Sequence, residues 1–490
     1  YDIRTPSEFL TDELAIRLAR AEAWYFHECL GVRSVLVGHD ARSMGPHYLN
    51  ITAEIYRESG LDVTLIPGAC STSKFYFAAM DNSAKAGVLI GASHNPAGDT
   101  GRKIIGPGVC PIARDIGPMG GLRKIEDFYR NDLGVPQTTQ GTLSLHDPTE
   151  NYIDYSMSLA GVPPQGLEGF PVLHDYLNGA AGYEMMEAFE TAAADLHPIH
   201  AIPDGGFPLG DPNPVKESVT REGRLQLETG KYRMGVFFDG DGDRIDFYSG
   251  EGRYLSSSFV YAAILPEILN RFEGENREVF ACLKSNPLAV MEMAKAGVQV
   301  SVNRNGHSQI KQSMIDYPEI LGGVEESAHY YERFRYDGQD YCTENTLYFV
   351  LLVTRLWRDR PEAFDRLFEI QSQTAREREW GHRFPSDESR VSALLAVEKE
   401  FTVDGASAMR KTSRGEDLEA TLMRRGLPFN IDAATRLDPD WLQVCQRVSQ
   451  SENGLARWEV ATARKELARE AKERIQLIIQ EFGAGEEYQG

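Results

Sequence analysis

Strand-length apolar runs alternating with helical periods, restarted three times along one chain, constrain this sequence more than any other feature. Arg33-Ser-Val-Leu-Val-Gly38 reads as a short buried strand closed by glycine. Residues 44–60 read as a helix ending at Gly60, and Leu61-Asp-Val-Thr-Leu-Ile66 and Lys85-Ala-Gly-Val-Leu-Ile-Gly91 as further strands. The rhythm restarts near residue 147, with a strand at Phe170-Pro-Val-Leu-His174, a helix over 182–194, and a strand at Met234-Gly-Val-Phe-Phe238 that ends on an acidic loop. It restarts again with strands at 276–285 and 298–302 around a helix, followed by a long helix over 344–358 with an apolar face. Such alternation predicts parallel α/β layers. After about residue 373 the texture turns charged and mixed α+β, and it closes on a helix whose Leu467, Ala471, Ile475, Ile478 and Phe482 recur at helical spacing. The pattern is one of three similar α/β domains and a different fourth, divided as 1–146, 147–252, 253–372 and 373–490.

The length of 490 residues suits such a division at roughly 100–200 residues per domain. Apolar residues at 42% and charged residues at 25% are a globular balance. With 51 basic against 73 acidic side chains the net charge is −22, which disfavours broad contact with nucleic acid or anionic lipid. The densest apolar run, Leu347 to Val353, falls far short of the roughly 18 residues of a membrane span. No basic-then-apolar leader opens the sequence. The six cysteines are scattered without a C-x-x-C pair, as expected of reduced thiols. The expectation is a soluble cytoplasmic protein, monomer or homodimer, whose partner is a small molecule rather than nucleic acid or membrane.

Asp239-Gly-Asp-Gly-Asp-Arg244 is the sharpest local signal. Three carboxylates at alternate positions can converge on one hard divalent cation, and the glycines let the loop fold tightly enough for the oxygens to meet. A calcium loop of EF-hand type would need Gly and Glu where Arg244 and Gly250 stand. Aspartyl-phosphate phosphatases place Asp-x-Asp after a strand but expect Thr or Val at the position of Asp243. An acidic turn without metal is the plain alternative, at the cost of mutual repulsion.

Gly91-Ala-Ser-His-Asn-Pro96 follows a buried strand and presents Ser93 among small residues, within reach of a bulky electrophile. The hydrolase elbow G-x-S-x-G is broken at Asn95. A capped polar turn accounts for this segment equally well. Gly322-Gly-Val-Glu-Glu-Ser-Ala-His329 joins acids, a hydroxyl and an imidazole suited to a polyol, although a solvated turn accounts for it better when taken alone. Arg447-Val-Ser-Gln-Ser-Glu-Asn-Gly454 has a composition able to cradle phosphate, against the alternative of an ordinary loop.

In this order the four segments resemble the α-D-phosphohexomutase family, which includes phosphomannomutases, phosphoglucomutases and phosphoglucosamine mutases. Ala92-Ser-His-Asn-Pro96, with Gly101-Arg-Lys103 beyond it, is similar to that family's T-A-S-H-N-P loop and later G-x-K. Asp239–Arg244 matches its D-G-D-G-D-R loop letter for letter, and Glu325–His329 is similar to its sugar loop E-x-S-G-H. Tyr1-Asp-Ile-Arg4 resembles its Y-D-I-R-G opening, and 204–214 its F-P-x-H-x-P-N-P stretch. The resemblance covers almost the whole chain. It implies a four-domain, heart-shaped α/β architecture, three similar α/β domains plus a C-terminal α+β domain, meeting at one deep cleft. Departures fall at Thr5 and Ala328, where the family has Gly, at Val324, which interrupts the sugar loop, and at Gln450 in place of the Gly of R-x-S-G-T-E.

The resemblance also implies a reaction: transfer of a phosphoryl group between positions 1 and 6 of a hexose phosphate through phosphoserine at Ser93 and a hexose 1,6-bisphosphate. It implies Mg²⁺ held by Asp239, Asp241, Asp243 and the Ser93 phosphate. Arg4, Lys103 and His329 match positions for proton transfer or charge stabilisation, with the general base left open. His94, adjacent to Ser93, is counted with the catalytic residues and is not obviously that base. Substrate contacts are expected from Arg244, Lys311, Glu325, Ser327, Arg447, Ser449, Gln450, Ser451 and Glu452. The sugar (glucose, mannose or glucosamine) stays open, as do two rival readings: a metal-dependent sugar phosphatase and a non-catalytic sugar-phosphate-binding relative.

Overall fold

Val35, Leu36 and Val37 are fully buried in the strand Ser34–His39. A strand covered on both faces can carry an unbroken apolar run, which is why this one does not alternate. It pairs in parallel with Asp62–Ala69 and Ala86–Ile90. The strand continues through Gly38 to His39 rather than closing at the glycine. The computed structural model describes residues 2–82, 84–134, 139–274, 277–449 and 454–489. The chain forms two compact units. The first is Tyr1–Tyr254 with Lys311–Asp316 and His329–Asp359, and the second is Leu255–Ile310, Tyr317–Ala328 and Arg360–Gly490.

In the first unit a seven-stranded sheet runs in the order Ile3–Pro6, Asp99–Gly106, Ala86–Ile90, Ser34–His39, Asp62–Ala69, Leu143–Leu145, with Cys110–Ile112 paired to Asp99–Gly106. Asp99–Gly106 returns antiparallel to Ala86–Ile90, so the Ser93 segment is the connection between two adjacent buried strands. Helices pack on this sheet with ordinary caps. Thr11 accepts from the Leu14 N–H before Asp12–Tyr25, and Ser71 from the Lys74 N–H before Thr72–Asp81. A second sheet sets Asp195–Ile199, Pro171–Asp175 and Met234–Phe238 in parallel, then Ile245–Ser249 antiparallel. Phe238 pairs with Ile245, so the acidic loop is the turn of a hairpin. The antiparallel hairpin His329–Tyr336 and Gln339–Thr343 and the helix Thr346–Asp359 complete this unit.

The second unit opens with a parallel trio, Glu278–Cys282 between Gln299–Asn303 and Ile320–Glu325. Its last part is a six-stranded antiparallel sheet in the order Ser407–Lys411, Asp417–Arg425, Leu442–Val448, Leu455–Thr462, Ala375–Arg383, Glu487–Gln489. The helices Asp387–Val403 and Lys465–Gln480 cover one face of it around Trp380, Val397, Phe401, Trp458 and Ile475. Phe482 joins this core from beyond the helix end. The helix expected over 182–194 stops at Thr191. Among the described residues no helix is long and apolar enough to cross a membrane.

Candidate active site

Ser93 stands in the turn after Ala86–Ile90 with a φ of 49°, a left-handed conformation that a residue with a side chain adopts at a cost. Two residues that sequence reading did not single out hold the turn in that shape. Arg42 donates to the backbone carbonyls of Ser93 (2.9 Å), Asn95 (2.7 Å), Pro96 (2.5 Å) and Asp99 (3.1 Å). Asp40 in turn accepts from Arg42 Nε at 3.2 Å and from the Ala92 N–H at 3.1 Å. Both side chains are buried. The available signal was Asp40-Ala-Arg42 directly after a buried strand, since a charged pair there needs a structural or chemical reason.

The Ser93 hydroxyl donates to Asp239 Oδ2 at 3.0 Å and lies 3.2 Å from His94 Nδ1. Asp239 Oδ1 accepts from the N–H groups of Asp243 and Arg244, both at 3.1 Å. Gly240 and Gly242 make this turn possible. A side chain at Gly240 would meet the Ser93 carbonyl oxygen at 2.7 Å, and Gly242 has a φ of 67°. The three carboxylates bring oxygens within 4.8 Å of one another. Burial, reinforced by Asp241 and Asp243, pushes the Asp239 carboxyl well up. Burial resists ionisation of Asp243 too, but Lys103, His329 and Arg244 outweigh it and hold Asp243 below the usual carboxylate range.

Lys103, on the returning strand Asp99–Gly106, places Nζ 3.1 Å from Asp241 Oδ2, 2.7 Å from Asp243 Oδ2 and 3.1 Å from the Thr72 hydroxyl. Burial acts against its charge, and the two aspartates more than reverse that, raising the ammonium well above its ordinary value. His329 Nδ1 lies 3.6 Å from Asp243 and 3.7 Å from Glu344. Burial raises the Glu344 carboxyl to about 7 despite Lys311. Lys311, on the helix His307–Asp316, donates to the Tyr76 hydroxyl at 2.8 Å and lies 3.8 Å from Glu344. Arg4 binds Asn95 Oδ1 at 2.7 Å and Asp2 at 3.1 Å. Burial first, then Arg244 and Arg4, depress the His94 imidazole. Glu344 and Tyr76 carried no local signal, because each earns its place through contacts distant in sequence.

The first unit therefore brings together Ser93, His94, Arg4, Lys103, His329, Asp239, Asp241, Asp243, Arg244 and Lys311. The second holds Glu325, Ser327, Arg447 and Ser449. Glu325 accepts from the Gly306 N–H at 2.8 Å, and Arg447 binds Glu379 at 2.8 and 3.2 Å. Ala328, where the resembled family has Gly, has a φ of 73°, a left-handed conformation that glycine adopts more readily. Gln450, Ser451 and Glu452 lie outside the described residues.

The aspartate trio suits a hard divalent cation. All the donors are carboxylate oxygens, and Asp241 Oδ1 and Asp243 Oδ1 are buried without a hydrogen bond. A serine hydroxyl held in a strained turn against such a trio, on an α/β scaffold, is the arrangement expected of an isomerase-class phosphotransferase. Residues 1–119 match the model of phosphoglucomutase/phosphomannomutase alpha/beta/alpha domain I, and residues 150–252 that of domain II. Over these segments the chain is similar to the phosphoglucomutase/phosphomannomutase family. It is 28% identical over 426 residues to a phosphomannomutase of Escherichia coli K12, spanning 83% of this chain and 88% of the relative. In fold it is similar to a phosphoglucomutase/phosphomannomutase family protein from Burkholderia thailandensis, with a TM-score of 0.79, 18% identity, and coverage of 99% and 97% of the two chains. It is also similar to an Aspergillus fumigatus N-acetylphosphoglucosamine mutase solved with GlcNAc-6P and magnesium, with a TM-score of 0.57, 11% identity, and coverage of 98% and 94%.

Proposed function

We propose that this enzyme is a phosphohexomutase that moves a phosphoryl group between positions 1 and 6 of glucose or mannose phosphate. The group would pass through phosphoserine at Ser93 and a hexose 1,6-bisphosphate intermediate. The observation that carries the reading is the Ser93 hydroxyl donating to Asp239 Oδ2 at 3.0 Å, in a turn that Arg42 and Asp40 hold open. A hydroxyl fixed beside an anionic cluster is placed to carry a phosphoryl group once that charge is balanced.

Asp239, Asp241 and Asp243 would hold Mg²⁺, which would supply charge to neutralise the phosphoryl oxygens during cleavage of the bond between phosphorus and the serine oxygen. Arg244, with Nε 3.8 Å from Asp239 Oδ2, adds fixed positive charge beside the trio. Lys103, Arg4 and His329 are assigned to stabilise charge or carry a proton at the attacking hydroxyl. Arg42 reaches Ser93 through its backbone carbonyl and fixes the turn that carries it. Recognition of the sugar ring is assigned to Glu325 and Ser327, and of the non-reacting phosphate to Arg447, Ser449 and the segment 450–452. Glucose and mannose differ only at carbon 2, so one ring site can serve both.

A coupled assay with glucose 1-, mannose 1- and glucosamine 1-phosphate, each with a catalytic amount of the matching 1,6-bisphosphate, tests the proposal. Conversion to the 6-phosphate without release of inorganic phosphate is the expected result, with one phosphate on Ser93 by intact mass. Stoichiometric release of inorganic phosphate from the sugar would identify a phosphatase instead.

A further inference from the structure

Arg447 and Arg457 face each other directly across adjacent antiparallel strands of the last sheet. Like charges in that position destabilise a strand pair unless an anion lies between them. One does. Glu379 Oε1 accepts from Arg447 Nη2 at 2.8 Å and from Arg457 Nη1 at 3.1 Å, while Oε2 accepts from Arg447 Nε and Lys284 Nζ, both at 3.2 Å. Three cations thus converge on one carboxylate, and the Arg447 contact is two-pronged, the geometry guanidinium offers to carboxylate and phosphate alike. Lys284 also lies 3.7 Å from Glu459, which Arg376 binds at 2.6 Å.

Local backbone explains how the carboxylate gets there. Glu377 pairs with Val460 but Trp380 with Trp458, so the strand Ala375–Arg383 carries one extra residue in between. A bulge re-aims side chains. Trp380 stays in the core, and Glu379 turns to the face that carries Arg447 and Arg457. Burial opposes its ionisation, and Arg447, Lys284 and Arg457 outweigh that and hold the carboxyl well below its ordinary value.

We propose that Glu379 is a built-in anion occupying the Arg447 fork until a phosphoryl group displaces it, and that it thereby sets the affinity of this site for phosphate. The inference rests on the assignment of Arg447 to phosphate recognition. A singly charged carboxylate on its own strand has the advantage of proximity, and a doubly charged phosphate has that of charge and a third oxygen. The exchange admits dianions, disfavours singly charged anions, and keeps a bound phosphate from being held so tightly that it cannot leave. A cluster designed only for grip would contain no competing acid.

The test is titration calorimetry of the full-length protein with inorganic phosphate. Glu379→Gln preserves shape and removes the charge, and is expected to tighten phosphate binding by about tenfold. Glu379→Asp retracts the carboxylate and should shift affinity less, in the same direction. The gain should vanish in Glu379→Gln/Arg447→Ala. Unchanged or weaker binding in Glu379→Gln overturns the proposal and makes Glu379 a residue that merely positions Arg447. Tightening that survives loss of Arg447 overturns it as well. Because inorganic phosphate is read without turnover, a protein lacking mutase activity can still show the exchange, and an active mutase can lack it.

Discussion

Two backbone angles separate chemistry from stability at the level of single residues. Ser93 at φ 49° is strained at the side chain assigned to the reaction, and Ala328 at φ 73° is strained at a residue whose methyl group is assigned no role in it. Ser93→Ala is expected to lower turnover by several orders of magnitude with substrate affinity nearly unchanged, because Ser93 is the residue assigned to carry the group covalently. Steady-state kinetics decides this, and a rate within tenfold of the parent would refute the phosphoserine route. Ala328→Gly has the opposite profile. A left-handed φ costs an L-residue about 1 kcal/mol or more, so the substitution should stabilise the second unit by about 1 kcal/mol in urea unfolding. A loss of stability would show that Ala328 is supported by packing rather than tolerated.

Among the elements, the strand Pro171–Asp175 carries a pH dependence of its own. His174 is fully buried among Phe189, Tyr176 and Phe238, and burial lowers its imidazole from 6.5 to about 3. The unfolded chain then binds a proton between those values that the folded chain refuses. Stability rises with pH through that window and is lost as pH falls through it. At about 1.4 kcal/mol per pKa unit, the fall from pH 7 to pH 5 amounts to roughly 2 kcal/mol from this group. Urea unfolding of the first unit should show a shallower dependence by that amount in His174→Phe. Equal slopes in the two proteins would mean that water reaches the ring.

The same scale shows what sequence could disclose. Buried strands and their helices were legible because burial on both faces writes itself as an apolar run. The hairpin turn Asp239–Arg244 was legible because acids crowded at alternate positions repel one another unless a cation sits among them. Arg42, Glu344 and Glu379 were not. Each acts on residues far away in the chain, and Glu379 reaches its partners only through a bulge that no local pattern announces. Ala328 was visible as a departure from a family motif, but its cost appeared only with the backbone angle.

Over the whole molecule, a net charge of −22 would repel a doubly charged sugar phosphate at long range, so recognition must come from short-range clusters of cations. The first unit has Arg4, Lys103, Arg244 and Lys311, and the second Lys284, Arg376, Arg447 and Arg457. A cation held by the trio would add a metal requirement to the first unit. EDTA is expected to abolish turnover and Mg²⁺ to restore it. Saturation a hundredfold above the dissociation constant should add about 2.7 kcal/mol to the stability of the first unit. Asp241→Asn should weaken both responses. Hydrogen exchange followed by mass spectrometry checks this through protection of segments 91–103 and 234–249 on adding Mg²⁺. Full activity in metal-free buffer would remove the trio from the mechanism.

The left-handed turn at Ser93 also bears on how such an enzyme can be improved. A library screened for heat tolerance alone, blind to turnover, is rewarded for relaxing this bend, and glycine relaxes it at once. The fittest survivors of that screen would be inert. Any programme to harden this protein must therefore select on product at every round, because the residue that offers easy robustness is the one assigned to carry the phosphoryl group.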